Sequence, residues 1–296
     1  MRIEDRVFDR RETFDVFIAS CGYETRSSYC CRLGVQALEK IALTYGDDAP
    51  GAVLRNMQEY TEADWVLLDA EWFCSSLGEN SLAEKRVAVD ISSMPRRVLG
   101  NVTRSAVASN ASSITFVYCP ASYGASAAVA QQADVLSAGP LGPDFRGPLR
   151  PSSLPISLIV GLGLEPYRAL GIIELVEPAR TWAFSATSDD SRFSQGAQAV
   201  NRPLVTSLQG KPIYQYDIHS LADTYLALDS LCFSLSSDSR VLLAPSGPKV
   251  FSLACILVSL YSKQPAPAVW RVGGKGGWMG IDVMESGEVI AYTLIP

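Results

Sequence analysis

Hydrophobic and polar positions alternate in short blocks along this chain, and each block is followed by a small-residue turn and a helical pattern. In residues 87–91, Val87, Val89 and Ile91 alternate with Ala88 and Asp90, the period of a strand. Ser92, Ser93, Pro95, Arg96 and Arg97 follow, and then an apolar helical repeat. Similar blocks open at "DVFIASCGYETRSSYCCRLG" (15–34), "ISLIVGLGLEPYRALGIIEL" (156–175) and "LLAPSGPKVFSLACILVSLYSKQPAPAVWRV" (242–272). The pattern predicts helices over 25–43, 95–109, 166–176, 218–235 and 249–261. The tail "GIDVMESGEVIAYTLI" (280–295) reads as a β-hairpin around Glu285-Ser286-Gly287.

Strand and helix therefore alternate throughout, which predicts an α/β fold with mainly parallel sheets. Between Ala138 and Pro155, "AGPLGPDFRGPLRPSSLP" carries proline and glycine at a density that suits no element interior. It is expected to be a linker, 138–155, dividing two tandem Rossmann-like halves, 1–137 and 156–296. The halves show a weak internal duplication. With a one-residue gap, Pro95-Arg96 falls on Pro248-Lys249 and Ser92 on Ser246, whereas Ala244 stands where the first half has Asp90.

Composition narrows the class. The chain has 296 residues, enough for two domains, and its net charge of −6 excludes a global basic field for non-specific nucleic-acid binding. No run of ~18 apolar residues is present, so no membrane partner is expected. The charged start "MRIEDRVFDRRETFD" has no signal-like apolar region. Seven cysteines without a CxxC pair read as reduced, packed thiols, and a cytoplasmic protein is expected. With His219 as the single histidine, multi-histidine metal sites are excluded. Neither a metal nor an organic cofactor is expected.

In open parallel sheets, ligands bind beyond the carboxyl ends of the strands. Four turns there carry the candidate chemistry: Gly22-Tyr23-Glu24-Thr25-Arg26, Asp90 to Arg97, Gly161 to Arg168, and Ser246 to Lys249. Ser92, Ser93, Arg96 and Arg97, with Ser246 and Lys249 in the second half, have the composition of cradles for phosphate or another anion. The same residues also suit plain helix caps. Neither turn has the glycine pattern of a P-loop.

A strand ending in a small-residue turn, with a cation opening the next helix, resembles the CRISPR-associated Rossmann-fold sensors of prokaryotic antiviral defence. The likeness covers about 30 residues in each half and rests on Ser92-Ser93 with Arg96 and on Gly247 with Lys249; the family's Thr-Gly-Gly core is missing. The resemblance implies a nucleotide second messenger as ligand and a defence-system protein as partner.

Acids fit a different chemistry. Glu24 and Glu165 occupy matching turns, and Asp90 ends a third strand. Carboxylates beside a phosphate cradle suit ribose contact or catalysis at a sugar carbon. Glu24 and Asp90 are thus the candidate catalytic pair of a hydrolase acting on a nucleotide or nucleic acid, with N-glycosidic cleavage through an oxocarbenium-like state favoured over phosphodiester cleavage. Tyr23, Tyr118 and Tyr123 are candidates to contact a base, and Gly22, Arg26 and Glu165 complete the binding set. The enzyme is the favoured reading, a sensor signalling to a partner is the alternative, and a structural or adaptor protein with a degenerate Rossmann fold is the third.

Overall fold

The structure is a computed structural model that describes every residue except 47–50, 79–80, 127–134, 166, 209–211, 264 and 275–281. It divides into two compact units, residues 1–125 with 280–296, and residues 126–279.

Unit 1 is built from β1 (Arg2–Val7), β2 (Thr13–Ser20), α1 (Tyr29–Arg32), β3 (Gln36–Thr44), α2 (Gly51–Glu62), β4 (Val66–Asp69), α3 (Ala70–Ser76), β5 (Arg86–Asp90), α4 (Arg96–Ala108), β6 (Ser113–Tyr118) and α5 (Tyr123–Ser126, at the unit boundary). Unit 2 holds β7 (Val135–Pro140), β8 (Ile156–Leu162), α6 (Arg168–Val176), β9 (Arg180–Thr187), α7 (Ser191–Val200), α8 (Arg202–Ser207), β10 (Ile213–Asp217), α9 (Leu221–Leu235), β11 (Arg240–Ala244), α10 (Lys249–Tyr261) and β12 (Ala268–Gly274). The last strand, β13 (Ile290–Ile295), returns to unit 1.

The seven-stranded sheet of unit 1 runs β1-β13-β6-β5-β2-β3-β4, and the six-stranded sheet of unit 2 runs β10-β9-β8-β11-β12-β7. All neighbours from β6 to β4, and from β10 to β12, are parallel. Counted along the chain, the five parallel strands of each unit therefore have the Rossmann order 3-2-1-4-5. Each fifth strand is flanked by an antiparallel one, β13 beside β6 and β7 beside β12. The two expected Rossmann-like halves are present and share the order of their five parallel strands, but the second spans residues 126–279, not 156–296, because β7 joins it and β13 belongs to the first.

Central parallel strands are covered on both faces and carry continuous apolar runs. In β2 every residue from Val16 to Ser20 is buried, and Phe17 and Ile18 are fully enclosed. Phe17 and Tyr60 pack edge-on against Trp65, at ring separations of 5.6 and 5.0 Å. In unit 2, Phe251 of α10 packs against Phe184 and Tyr216 at 5.6 and 5.3 Å.

Three expectations need correction. The helix expected over 25–43 is a 3₁₀ turn at Thr25–Ser28 and the single turn α1, followed by strand β3. Gly34, at φ +68°, ends the helical run in a left-handed conformation that glycine adopts without strain. The proline- and glycine-rich 138–155 segment is not a free linker. Its start completes edge strand β7, where Pro140 faces only one neighbour, and Leu141 and Phe145 are buried. Lastly, the tail contributes one strand, not a hairpin: β13 pairs with β1 and β6, and Glu285 makes an isolated bridge to Ala121.

Candidate functional site

The 3-2-1-4-5 order places the topological switch point of unit 1 between β2 and β5, where successive connections leave in opposite directions. The two strands run in parallel register, Phe17 beside Ala88 and Ile18 beside Val89, so their exit loops emerge side by side. These loops carry Gly22 to Arg26 and Ile91 to Arg96. They meet at Ser27, whose hydroxyl accepts from Gly22 N–H at 2.7 Å and from the Ser93 hydroxyl at 2.9 Å, and donates to the Ser20 carbonyl. A Cβ on Gly22 would lie 3.5, 3.6 and 3.8 Å from the hydroxyls of Ser27, Ser93 and Ser20, so side-chain hydroxyls, not backbone, surround the glycine.

Behind this junction lies a buried charged cluster. Glu24 Oε2 accepts from Arg26 Nε at 2.6 Å, with both side chains largely enclosed. Arg26 also donates to the Cys119 carbonyl at 3.1 Å and hydrogen-bonds Tyr118. Burial opposes the charge on Arg26, but Glu24 and then Tyr118 outweigh it and hold the guanidinium protonated above the usual arginine range. Asp90 is 2% exposed, and its Oδ1 accepts from Ser92 N–H at 2.9 Å and from the Ser92 hydroxyl at 2.5 Å. Burial pushes its carboxyl above the ordinary aspartate range, against the hydrogen bonds from Ser92 and Cys30 and the charge of Arg26. Ser92 is equally enclosed and accepts from Cys119 N–H at 2.8 Å. The proposed catalytic acids thus share a cluster, but each is engaged inward: Glu24 neutralises Arg26, and Asp90 fixes the turn after β5.

Helix α4 opens on the crevice side of this turn. Its N-cap is Pro95, which offers no side-chain cap, and its first turn holds no acid while beginning with Arg96. Arg96 is half-buried and partnered. Arg97 departs from the cradle: it is exposed and pairs with Glu71 of α3. Tyr23 and Tyr123 are half-buried, whereas Tyr118 is 5% exposed and faces Arg26.

The remaining candidates build the switch point of unit 2. Glu165 pairs with Arg168 at 2.6 Å, Ser246 is buried, and Lys249 opens α10 after the equally uncapped Pro248. Here the exit loops of β8 and β11 touch through backbone. A Cβ on Gly163 would lie 2.7 Å from Gly247 Cα, and one on Gly161 would lie 2.2 Å from the Ser246 carbonyl oxygen. Gly247 itself has φ +78°. His219 sits at the exit of β10, its Nδ1 2.7 Å from Asp217 Oδ1.

Several residues that matter here give no local sequence signal. Asn56, fully buried on α2, donates to the carbonyls of Gly22 and Glu24 at 2.7 and 2.9 Å. Asn201 repeats the device in unit 2, donating to the Gly163 carbonyl at 2.8 Å. Tyr60 donates to the Ser27 carbonyl at 2.6 Å, and Asp282 binds Thr25. An asparagine inside an amphipathic helix could have been flagged as an unusual buried polar position. Its acceptors, however, lie more than 30 residues away in sequence.

Fold and site together define a tandem Rossmann-like α/β protein with one hydroxyl-lined and one backbone-filled switch point. No family model matches the chain, and no curated protein matches it. Among solved structures, a chain in the "Structure of Pnkp1/Rnl/Hen1 complex" is similar at 10% identity over 88% of this chain and 97% of that chain, with a TM-score of 0.27. Among the described residues, no helix is long and apolar enough to cross a membrane.

Proposed function

We propose that the protein binds an anionic nucleotide at the switch point of unit 1, in the manner of a ligand sensor. The observation that carries this reading is the start of α4. A cation in the first turn opposes the helix dipole by about 0.3–1 kcal/mol; the turn itself holds no acid and its N-cap makes no side-chain hydrogen bond, although Arg96 keeps a partner and Arg97 pairs with Glu71. The same anti-optimised start recurs at Lys249 in α10. An incoming phosphate beside Ser93 and Arg96 would reverse the sign of that term.

Sensing is favoured over catalysis because Glu24 and Asp90 are both engaged inward and Asp90 is sealed from solvent. One observation favours the second reading, a hydrolase cleaving an N-glycosidic bond: burial holds the Asp90 carboxyl above its ordinary range, as a proton donor to a leaving base requires. Incubation with nucleotides and cyclic oligonucleotides, followed by mass spectrometry of the bound and free fractions, separates the two. Retention of one unchanged species, lost in Arg96→Ala, is the expected result. A released base that disappears in Asp90→Asn would establish the hydrolase. Retention of no species by the wild type, with no turnover, would overturn both.

A further inference from the structure

The C-terminal segment does more than lead into β13. Residues 282–287 run from the exit of β2 to the exit of β6, the two strands that flank β5. At the first end, Asp282 accepts from Thr25 N–H at 2.6 Å and from the Thr25 hydroxyl at 2.7 Å, and the Val283 carbonyl accepts from Arg26 N–H at 3.1 Å. At the other end, the Met284 carbonyl accepts from Ser122 N–H at 2.9 Å, and Ser286 N–H donates to the Pro120 carbonyl at 2.9 Å. Cys119 Sγ, between these ends, takes hydrogen bonds from the backbone of Ser286 and Gly287. The segment therefore spans the end of β5 between the loops after β2 and β6 and covers the Cys119 thiol.

Its fastening is polar. Arg55 donates to Thr25 Oγ1 at 2.7 Å, and Arg32 pairs with Glu285 at 3.0 Å. The fastening is also incomplete. Glu285 Oε2 is buried and accepts no hydrogen bond from the described residues, and Arg32 divides its charge between Glu285 and Glu59. Among the described residues, Asp282 is held by Thr25 alone, and Glu285 sits on a guanidinium it shares with Glu59, a contact that a stronger anion can dislodge.

We propose that residues 282–287 are a strap closing the unit 1 crevice, released when an anionic ligand competes with Glu285 for Arg32. The proposal rests on the nucleotide-binding reading above and adds its regulation: ligand entry and strap docking are mutually exclusive, so the freed segment is the signal that a partner would read.

Cys119 is a built-in reporter, because its thiol is enclosed while the strap is docked. Maleimide labelling, resolved by peptide mass spectrometry, should be roughly 10- to 100-fold faster at Cys119 in Asp282→Ala, which loses two hydrogen bonds to a charged acceptor. Inorganic pyrophosphate should accelerate Cys119 labelling in the wild type and bind more tightly to Asp282→Ala. The wild-type measurement keeps the test decisive should the variant fold poorly. Equal labelling of wild type and variant would overturn the strap, as would pyrophosphate that binds both with equal affinity and leaves Cys119 labelling unchanged. Failure of pyrophosphate and nucleotides to bind either protein would overturn the binding reading and ligand release with it. The labelling difference would then still decide whether the strap is a releasable cover.

Discussion

Replacing one glycine by alanine at equivalent points of the two units should give opposite results. In unit 2, a Cβ on Gly163 would stand 2.7 Å from Gly247 Cα and 3.2 Å from Gly247 N. That is about 0.7 Å inside the nearest comfortable carbon–carbon separation. The obstacle is backbone and cannot rotate aside. Gly247 is itself confined, since a Cβ there would lie 2.6 Å from the Leu162 carbonyl oxygen. Overpacking of this kind costs about 1–3 kcal/mol where side chains can yield, and about 3 kcal/mol is the expectation where they cannot. In unit 1, a Cβ on Gly22 would make ordinary contacts of 3.5–3.8 Å with three serine hydroxyls. The lost chain entropy of glycine in the unfolded state would offset small strain, leaving a net change within about 0.5 kcal/mol. A chain of two units need not unfold in one step, so hydrogen exchange read strand by strand is the suitable assay. Gly163→Ala should speed exchange in β8 and β11 by roughly 100-fold, while Gly22→Ala leaves β2 and β5 within a few-fold of wild type. Gly22→Ala should nevertheless weaken nucleotide binding, because its methyl occupies the crevice. Comparable exchange in both variants would refute the contrast between a backbone-filled and a hydroxyl-lined switch point.

Three further outcomes follow from the same geometry. Asn56→Leu strips the carbonyls of Gly22 and Glu24 of their side-chain donor, and a loss of about 3 kcal/mol in unit 1 stability is expected from thermal and urea melts; a variant as stable as wild type would show that water replaces the amide. Asp90 has a folded-state pKa raised by burial, so its contribution is full at pH below the unfolded value and is lost as pH rises through the folded one. Asp90→Asn should therefore gain on wild type in unit 1 melting temperature as pH rises from about 4 toward neutrality, and a difference that stays constant across that window would contradict the assignment. Arg97→Ala should change stability by no more than about 1 kcal/mol and leave ligand affinity intact, since Arg97 is turned to Glu71 on the surface; a loss of binding to match Arg96→Ala would return it to the cradle.

What could be read from sequence was local. Helices α4 and α10 lie within a residue of the expected spans, 95–109 and 249–261, because strand alternation, a proline and an apolar helical repeat sit next to one another in the chain. The Glu24–Arg26 pair was legible for the same reason, its members being two residues apart. The stretch after Cys31 misled because "QALEKIALT" suits a helix by propensity, and only the left-handed Gly34 and the open place beside β2 make it a strand. Nothing in the tail announced that β13 would cross back to lie between β1 and β6, since strand pairing at such separation has no local signature. Asn56, Ser27 and Asp282 stayed hidden likewise: each is an ordinary polar residue until the fold brings its partner to it.

The second unit serves as an internal control for the first. It has the same strand order, the same asparagine beneath the first exit loop and the same Glu–Arg pairing near that loop. Yet it ends β11 with Ala244 where β5 ends with Asp90, and it fills its crevice with Gly163 against Gly247. The fold therefore stands without a buried acid at that strand end. Burying a carboxylate beside an arginine seldom stabilises a protein relative to apolar packing, so stability alone is a weak reason for Asp90 and Arg26 to be together in unit 1. Their presence in unit 1 and not at the matching positions of unit 2 is what supports the proposal that ligand binds at the unit 1 switch point.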